Sequence, residues 1–71
     1  MKKIEMIRGY YGANKLHHIT STDEREVSIP KGKSFVEFLA YVEKYINENG
    51  FTIKAMDKEP NGLFILIEKD E

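Results

Sequence analysis

The sequence predicts a single small α+β domain, residues 1–71, in which one amphipathic helix packs on an antiparallel sheet of four to five strands. Three observations predict this fold class. A helix with clear start and stop signals lies in the middle of the chain, apolar segments typical of strands lie on both sides of it, and turn residues separate those segments. A chain of 71 residues has room for only one hydrophobic core.

The helix has the strongest local signal. Ser34 is a favourable N-cap, and Glu37 three residues later completes an S-x-x-E capping box. Gly50 supplies the left-handed residue at which many helices end, and Phe51 follows it where a Schellman motif places an apolar contact. Between these signals the apolar residues recur at helical spacing: Phe35, Phe38, Leu39, Val42, Tyr45 and Ile46. The pattern predicts a helix from Ser34 to Asn49.

Two strands are predicted after the helix. Phe51, Ile53 and Ala55 alternate with their neighbours as in a half-buried strand. The uninterrupted apolar run 63–67 suits a strand at the sheet centre or one covered on both faces. Pro60-Asn61-Gly62 between them is a turn sequence. We interpret residues 57–59 as part of that turn and residues 68–71 as a polar tail.

Three strands are predicted before the helix, at residues 4–11, 16–20 and 26–29, with a turn at residues 12–14. The order is therefore β-β-β-α-β-β. Because a helix that links two strands of one sheet usually makes a right-handed crossover, the favoured sheet order is 3-2-1-5-4 with the helix on one face. The opposite face would then be thinly covered, and an exposed apolar face is where small domains commonly bind partners.

Composition excludes several kinds of site. The chain has no cysteine and only two histidines, so disulfides and thiolate metal sites are excluded and a zinc ligand set cannot be completed. We expect no metal and no small-molecule cofactor. The longest apolar run has five residues, too few to span a bilayer, and no targeting segment is visible. We therefore expect a cytoplasmic protein that does not enter a membrane.

Charge is distributed unevenly along the chain. The net charge is −1, but residues 1–33 contain seven Lys and Arg against four acids (+3), and residues 34–71 contain four Lys against eight acids (−4). A basic half of this kind can mark a binding face for an anionic partner. A core as small as this one often needs a partner subunit for stability, so self-association is a second expectation.

Three short segments contain the candidate binding residues. In a strand, His17 and His18 point to opposite faces, so they cannot easily share one metal or one catalytic site. Residues 30–34 end in Gly-Lys-Ser like a phosphate-binding loop, but position 27 is Val where that loop requires Gly. Residues 8–15 interleave aromatic and basic side chains, a mixture found in single-stranded nucleic acid sites and in protein interfaces. The candidate binding residues are Arg8, Tyr10, Tyr11, Lys15, His17, His18, Lys31 and Lys33.

Two segments carry resemblances to known families. Leu16-His17-His18-Ile19, continued by Asp23, Arg25, Val27, Ile29-Pro30 and Gly32-Lys33, resembles the β-hairpin of HicA-type toxins. Those proteins are small RNA-cleaving toxins with a double-stranded-RNA-binding-like fold, and the resemblance implies that His17 or His18 would be catalytic. This chain lacks the family's N-terminal helix and adds a C-terminal hairpin. Separately, Val27-Ser28-Ile29-Pro30-Lys31 is similar to a segment of AbrB-like DNA-binding proteins, which are swapped dimers.

No convergent catalytic set is visible, and we therefore expect that the chain is not an enzyme. The favoured hypothesis is a non-catalytic regulatory module, of the small phage-borne or mobile-element kind, that binds another protein or a second copy of itself. Nucleic-acid binding through the basic N-terminal half is the first alternative, and such binding would weaken steeply with added salt. A HicA-like RNA-cleaving toxin is the second alternative.

Overall fold

A computed structural model of the chain describes residues 1–60 and 62–70, and it confirms the predicted fold class and sheet order. The elements are β1 (Lys2–Tyr10), a 3₁₀ turn (Tyr11–Ala13), β2 (Lys15–Ile19), β3 (Glu24–Ser28), α1 (Phe35–Glu48), β4 (Thr52–Glu59) and β5 (Gly62–Asp70). All neighbouring strands pair antiparallel in the order β3-β2-β1-β5-β4. The predictions that concern Asn61 in the turn and Glu71 in the tail fall outside the described residues.

The helix begins and ends where its local signals predict. The Ser34 hydroxyl accepts a hydrogen bond from the Glu37 backbone N–H at 3.2 Å, so it satisfies one of the unpaired donors of the first turn. At the other end Gly50 has a φ of 81°, and the Phe51 N–H donates to the Ile46 carbonyl at 3.1 Å. This geometry closes the last turn and directs the chain back onto the sheet.

One side of the sheet carries the hydrophobic core. Phe38, Val42 and Ile46 of α1 are buried against side chains from the central strands. Those partners are Ile7 of β1, Leu16 of β2, Phe51 before β4, and Leu63, Ile65 and Ile67 of β5. Burying one such side chain contributes about 1.5–3 kcal/mol relative to exposure, so tertiary packing holds the helix in place more than helix propensity does.

The last two strands are longer than predicted. Residues 57–59 belong to β4 and residues 68–70 to β5, so the predicted turn and polar tail are wrong for these positions. Glu68 and Asp70 lie opposite Ile4 and Lys2 of β1. The Lys2 ammonium lies 3.3 Å from the Glu68 carboxylate. Polar residues extend the ladder here because cross-strand pairing compensates for their low strand propensity.

An irregularity in β4 overturns a second prediction. The register of β4 on β5 shifts by one residue between Ile53 and Ala55, so Lys54 is an extra residue, as in a β-bulge. Ile53 therefore lies beside the buried Ile67, whereas Ala55 lies beside Leu66 on the other face. The alternation of residues in the sequence predicts that Ile53 and Ala55 share one face.

No helix in the described part of the chain is long and apolar enough to cross a membrane.

The contact between Gly62 and β1 yields a stability prediction. A Cβ atom at Gly62 would overlap the backbone carbonyl oxygen of Gly9 on the neighbouring strand. We expect Gly62→Ala to lower the free energy of unfolding by about 1–3 kcal/mol, as overpacking usually does, in urea titrations. Gly12→Ala is the matched control, because its Cβ would meet nothing within 4 Å. Equal stability of the two variants would contradict the close approach of β5 to β1.

Candidate functional site

The sheet has one face under the helix and one face that no described element covers. Successive side chains of a strand point to opposite faces. On β1, Glu5 and Ile7 are buried beneath α1, so Met6 and Arg8 point the other way. We call this second face the open face. Its residues are Lys2, Ile4, Met6, Arg8 and Tyr10 on β1, Lys15, His17 and Ile19 on β2, Glu24, Glu26 and Ser28 on β3, Gly62, Phe64, Leu66, Glu68 and Asp70 on β5, and Thr52, Ala55, Asp57 and Glu59 on β4.

An apolar row crosses the middle of the open face. Met6 lies between Ile19 and Leu66, and Leu66 lies in turn beside Ala55, so the row spans four strands without a polar side chain. Met6, Ile19 and Leu66 each keep part of their surface in solvent. The adjoining Ile4 is 49 % exposed. Contiguous apolar surface of this kind marks interaction sites in soluble proteins.

Polar and aromatic groups lie on one side of this row. The Arg8 guanidinium lies 5.6 Å from the centre of the Tyr10 ring, and that ring packs edge-on against His17 at 5.9 Å. Lys15 forms an ion pair with Glu26 at 2.8 Å. The hydrogen bond and charge of Lys15 lower the pKa of the Glu26 carboxyl. The basic side chains of β2 therefore already have acidic neighbours on β3.

The structure separates the predicted binding residues into groups. Arg8, Tyr10, Lys15 and His17 lie together on the open face. The others lie elsewhere: Tyr11 packs on Phe35 and Phe38, His18 is buried under the helix, and Lys31 and Lys33 are exposed in the segment before α1. The two histidines are on opposite faces, as strand alternation predicts.

Beneath the helix, three side chains form a continuous polar network. His18 is 1 % exposed and Glu5 is 5 % exposed. The His18 Nε2 lies 2.5 Å from a Glu5 carboxylate oxygen, and its Nδ1 lies 2.8 Å from the Tyr45 hydroxyl. Because a carboxylate only accepts, Nε2–H donates to Glu5, while Nδ1 and the Tyr45 hydroxyl share the second hydrogen bond. Lys3 lies 3.5 Å from the second Glu5 oxygen.

Both ring nitrogens of His18 form hydrogen bonds within the fold, and the residue is 1 % exposed. Burial raises the pKa of the Tyr45 hydroxyl, with a smaller opposing effect of Arg25 and a smaller reinforcing effect of Glu5. A nucleophilic tyrosine needs the opposite shift. The arrangement is suited to orienting α1 on the sheet, since it joins β1, β2 and the helix through buried hydrogen bonds.

A polar cleft lies beside the network at the end of the helix. It is lined by Lys3, Glu5, His18, Thr20, Ser21, Thr22, Arg25, Asn49, Phe51 and Lys69. Within residues 1–60 and 62–70, no group of three or more histidine, aspartate or glutamate side chains is arranged to hold a metal ion.

Sequence reasoning missed Glu5 and Tyr45 in the network, and Met6, Ile19, Phe64 and Leu66 on the open face. For Glu5, the sequence does contain a signal, because residues two apart in a strand point to the same face. Glu5 shares the parity of Ile7 in β1, which places a carboxylate on the buried face. Tyr45 lies within the apolar stripe of the helix and brings a hydroxyl beneath it.

The network predicts non-additive effects on stability. We expect His18→Leu to cost about 3–5 kcal/mol, because it leaves the Glu5 carboxylate buried with less compensation. The double variant Glu5→Leu/His18→Leu should be more stable than His18→Leu alone, because both polar partners are then removed together. Urea unfolding of the two singles and the double gives the coupling free energy. Additive single effects would show that Glu5 and His18 do not interact as described.

The raised pKa of Tyr45 predicts a pH dependence. An acid whose folded-state pKa is raised contributes stability that is present below its unfolded value, 10.0, and is lost as the pH rises through the folded value. Tyr45→Phe should therefore reduce the loss of stability above pH 10.0 while costing about 1–3 kcal/mol at neutral pH, where His18 loses its partner. Urea titrations at several pH values measure both effects. An alkaline limb that Tyr45→Phe leaves unchanged would contradict the burial of this hydroxyl.

Comparison with known proteins does not assign a family to this chain. No protein-family model, no curated protein and no solved structure matches the chain.

Proposed function

We propose that this chain is a non-catalytic binding module that contacts another protein through its open face. The observation that carries the proposal is the apolar row Ile19–Met6–Leu66–Ala55, which lies across four strands and is not covered by the helix. Transfer of such a row from water into an interface is favourable by roughly 25 cal/mol for each Å² of apolar surface. A protein partner supplies the apolar surface that this row can pack against.

The residues around the row have the composition of an interface. Phe64 and Tyr10 are aromatic side chains that can insert into a partner surface. Arg8 lies beside Phe64 in the register, and along β1 it lies between Tyr10 and Met6 of the row. Tyrosine and arginine are enriched among the residues that dominate binding energies, and charged groups at the rim improve specificity. The arrangement supports a protein contact with an apolar centre and a polar rim.

Two features favour protein over nucleic acid as the partner. Of the basic groups on the open face, Lys15 is paired with Glu26, and His17 lies 3.3 Å from Glu24. Asp57 and Glu59 lie at the other end of the same rows. A phosphate backbone would meet these carboxylates together with the cations, which weakens the electrostatic attraction on which such binding depends.

The buried network supports a non-catalytic role. His18 has both nitrogens in hydrogen bonds, and the pKa of Tyr45 is raised. The raised pKa of Tyr45 is the opposite of the shift that activates a nucleophile, and His18 is only 1 % exposed to a substrate.

A substitution at the centre of the open face tests the proposal. Tagged protein is incubated with an extract of its source cells and an excess of untagged chain, and the retained proteins are identified. We expect the unmodified protein to retain a partner, either a host protein or the untagged copy. Leu66→Glu should abolish the retention, because it puts a charge in the apolar row.

The matched control is Val36→Glu. Val36 is 75 % exposed on α1, so the same chemical change is made on the other side of the molecule. Retention should survive in this control. Retention that Leu66→Glu leaves intact, or that Val36→Glu abolishes equally, would contradict the open face as the contact surface, provided that both variants give the same far-ultraviolet spectrum as the unmodified protein.

A further inference from the structure

We infer that the occupant of the open face is a second copy of this chain, related to the first by a two-fold axis along the strands between β1 and β5. This inference rests on the proposed function, because it names the partner of the same surface. Charge complementarity, a matching depression and the available area carry it.

The open-face residues form rows that run across the sheet, perpendicular to the strands, because paired strands place their register partners side by side. Three rows span β2, β1, β5 and β4 in that order: Lys15–Tyr10–Gly62–Glu59, His17–Arg8–Phe64–Asp57 and Ile19–Met6–Leu66–Ala55. Within these four strands, two rows begin with a basic residue and end with an acidic one. On β3, Ser28, Glu26 and Glu24 extend the three rows, and they lie outside the four strands that an axis between β1 and β5 superposes. The third begins with a large apolar residue and ends with a small one.

Rotation by 180° about an axis along the strands places each row of one copy over the same row of the other copy, in reversed order. The first residue of a row then meets the fourth residue of the second copy, and the second meets the third. In the first row, Lys15 of each copy faces Glu59 of the other, while it keeps its own contact with Glu26 at 2.8 Å. Tyr10 faces Gly62, which adds no side chain of its own to the interface.

The second row is complementary in the same way. His17 of each copy faces Asp57 of the other. Arg8 faces the ring of Phe64, an arrangement that permits a cation–π contact. Because each of these contacts occurs twice in a two-fold dimer, the row supplies four favourable contacts.

The third row matches in shape. Met6 meets Leu66, and Ile19 meets Ala55 of the second copy. Ala55 lies in a small depression of the open face, and the depression is lined by Ala55, Met56, Asp57, Phe64 and Leu66. The larger Ile19 side chain of one copy can enter this depression of the other, as close packing of an interface core requires.

The ends of the central strands follow the same rule. Lys2 of β1 and Asp70 of β5 lie opposite each other in the register, so the axis places Lys2 of one copy against Asp70 of the other. Ile4 faces Glu68, whose carboxylate is already paired with Lys2 at 3.3 Å. This contact lies at the rim, where exposed acids are tolerated.

The alternative axis, across the strands, is unfavourable. It would place β1 and β2 of one copy over β1 and β2 of the other, and β4 and β5 over β4 and β5. The charged open-face residues of β1 and β2 are basic, and those of β4 and β5 are acidic. Like charges would then meet across the interface, which costs binding energy. Of these two axes, only the one along the strands brings opposite charges together, Lys2 with Asp70 and Lys15 with Glu59.

The available area suits a dimer of moderate affinity. Four strands at about 4.8 Å spacing and about 3.3 Å per residue present a surface of roughly 20 by 25 Å. Two copies together then bury on the order of 1,000 Å², which is where specific interfaces begin. We expect a dissociation constant of the dimer in the micromolar range, because interfaces of this size are stable only when the two surfaces are complementary.

Charge reversal in two complementary variants tests the inference. One variant is K2E/K15E and the other is E59K/D70K. Sedimentation equilibrium between about 1 µM and about 1 mM covers the expected dissociation range. The unmodified protein should reach twice the chain mass of 8.3 kDa. Each variant alone should self-associate at least about tenfold more weakly, because four opposed pairs become like-charge pairs.

An equimolar mixture of the two variants is the decisive arm. In the mixed dimer every reversed charge again faces its opposite, so dimers of one copy of each variant should form as well as the unmodified dimer does. K31E/K33E is the matched control, because it makes the same charge change in the segment before α1, and its self-association should equal that of the unmodified protein. Recovery in the mixture also shows that both variants are folded.

Several results would overturn the inference: a monomer at every concentration, charge variants that dimerise as the unmodified protein does, or a mixture without recovery. These results are distinct from failure of the proposed function. A monomeric chain that still retains a host protein, and loses it in Leu66→Glu, would exclude the two-fold dimer while the open face remained a contact surface.

Discussion

A single helix can cover only one face of a five-stranded sheet, and the rest of the molecule depends on this constraint. The 14 residues of α1 bury Phe38, Val42 and Ile46 against β1, β2 and β5, which gives the domain its core. No described segment remains to cover the other face. The central strands β1 and β5 nevertheless carry apolar side chains there, at Met6 and Leu66. A monomer in water gains little from these side chains, and this is the basis on which we propose a partner for the open face.

The polar network beneath the helix plays a different part. Glu5, His18 and Tyr45 lie where an apolar core would normally continue, and their hydrogen bonds join two strands to the helix. Buried polar groups of this kind add little net stability, but they disfavour alternative packings in which they would be unpaired. We interpret the network as a device that sets the position of α1. Because the helix is held on one face of the sheet, the opposite, open face is exposed in every copy of the protein.

Local signals explain why the helix and the sheet order were predictable. Ser34, the apolar stripe and Gly50 all act within one segment, so no knowledge of distant residues is needed. The apolar run 63–67 placed β5 at the centre, and the crossover rule then set the order. The extension of β5 through Asp70 was not predictable in this way, because it depends on cross-strand neighbours such as Lys2. The irregularity at Lys54 likewise depends on the register of two strands.

The candidate site was predicted only in part, for the same reason. Arg8, Tyr10, Lys15 and His17 were selected by residue type and do lie together on the open face. Lys31 and Lys33 were selected by a motif and lie apart from them. The apolar residues of the open face have no distinctive residue type. They become conspicuous only when the register sets Met6, Ile19 and Leu66 side by side, which sequence alternation alone does not establish.

The central claim is that the open face is a contact surface, and the solvent accessibility of its methyl groups tests this most directly. Methyl resonances of Ile19, Met6 and Leu66 can be recorded in a dilution series with a soluble paramagnetic agent, with those of the exposed Val36 as an internal reference. The account predicts that the agent broadens the open-face methyls in dilute samples and spares them in concentrated ones or when the retained partner is added, while Val36 stays accessible throughout. Open-face methyls that remain as accessible as Val36 under all of these conditions would contradict it.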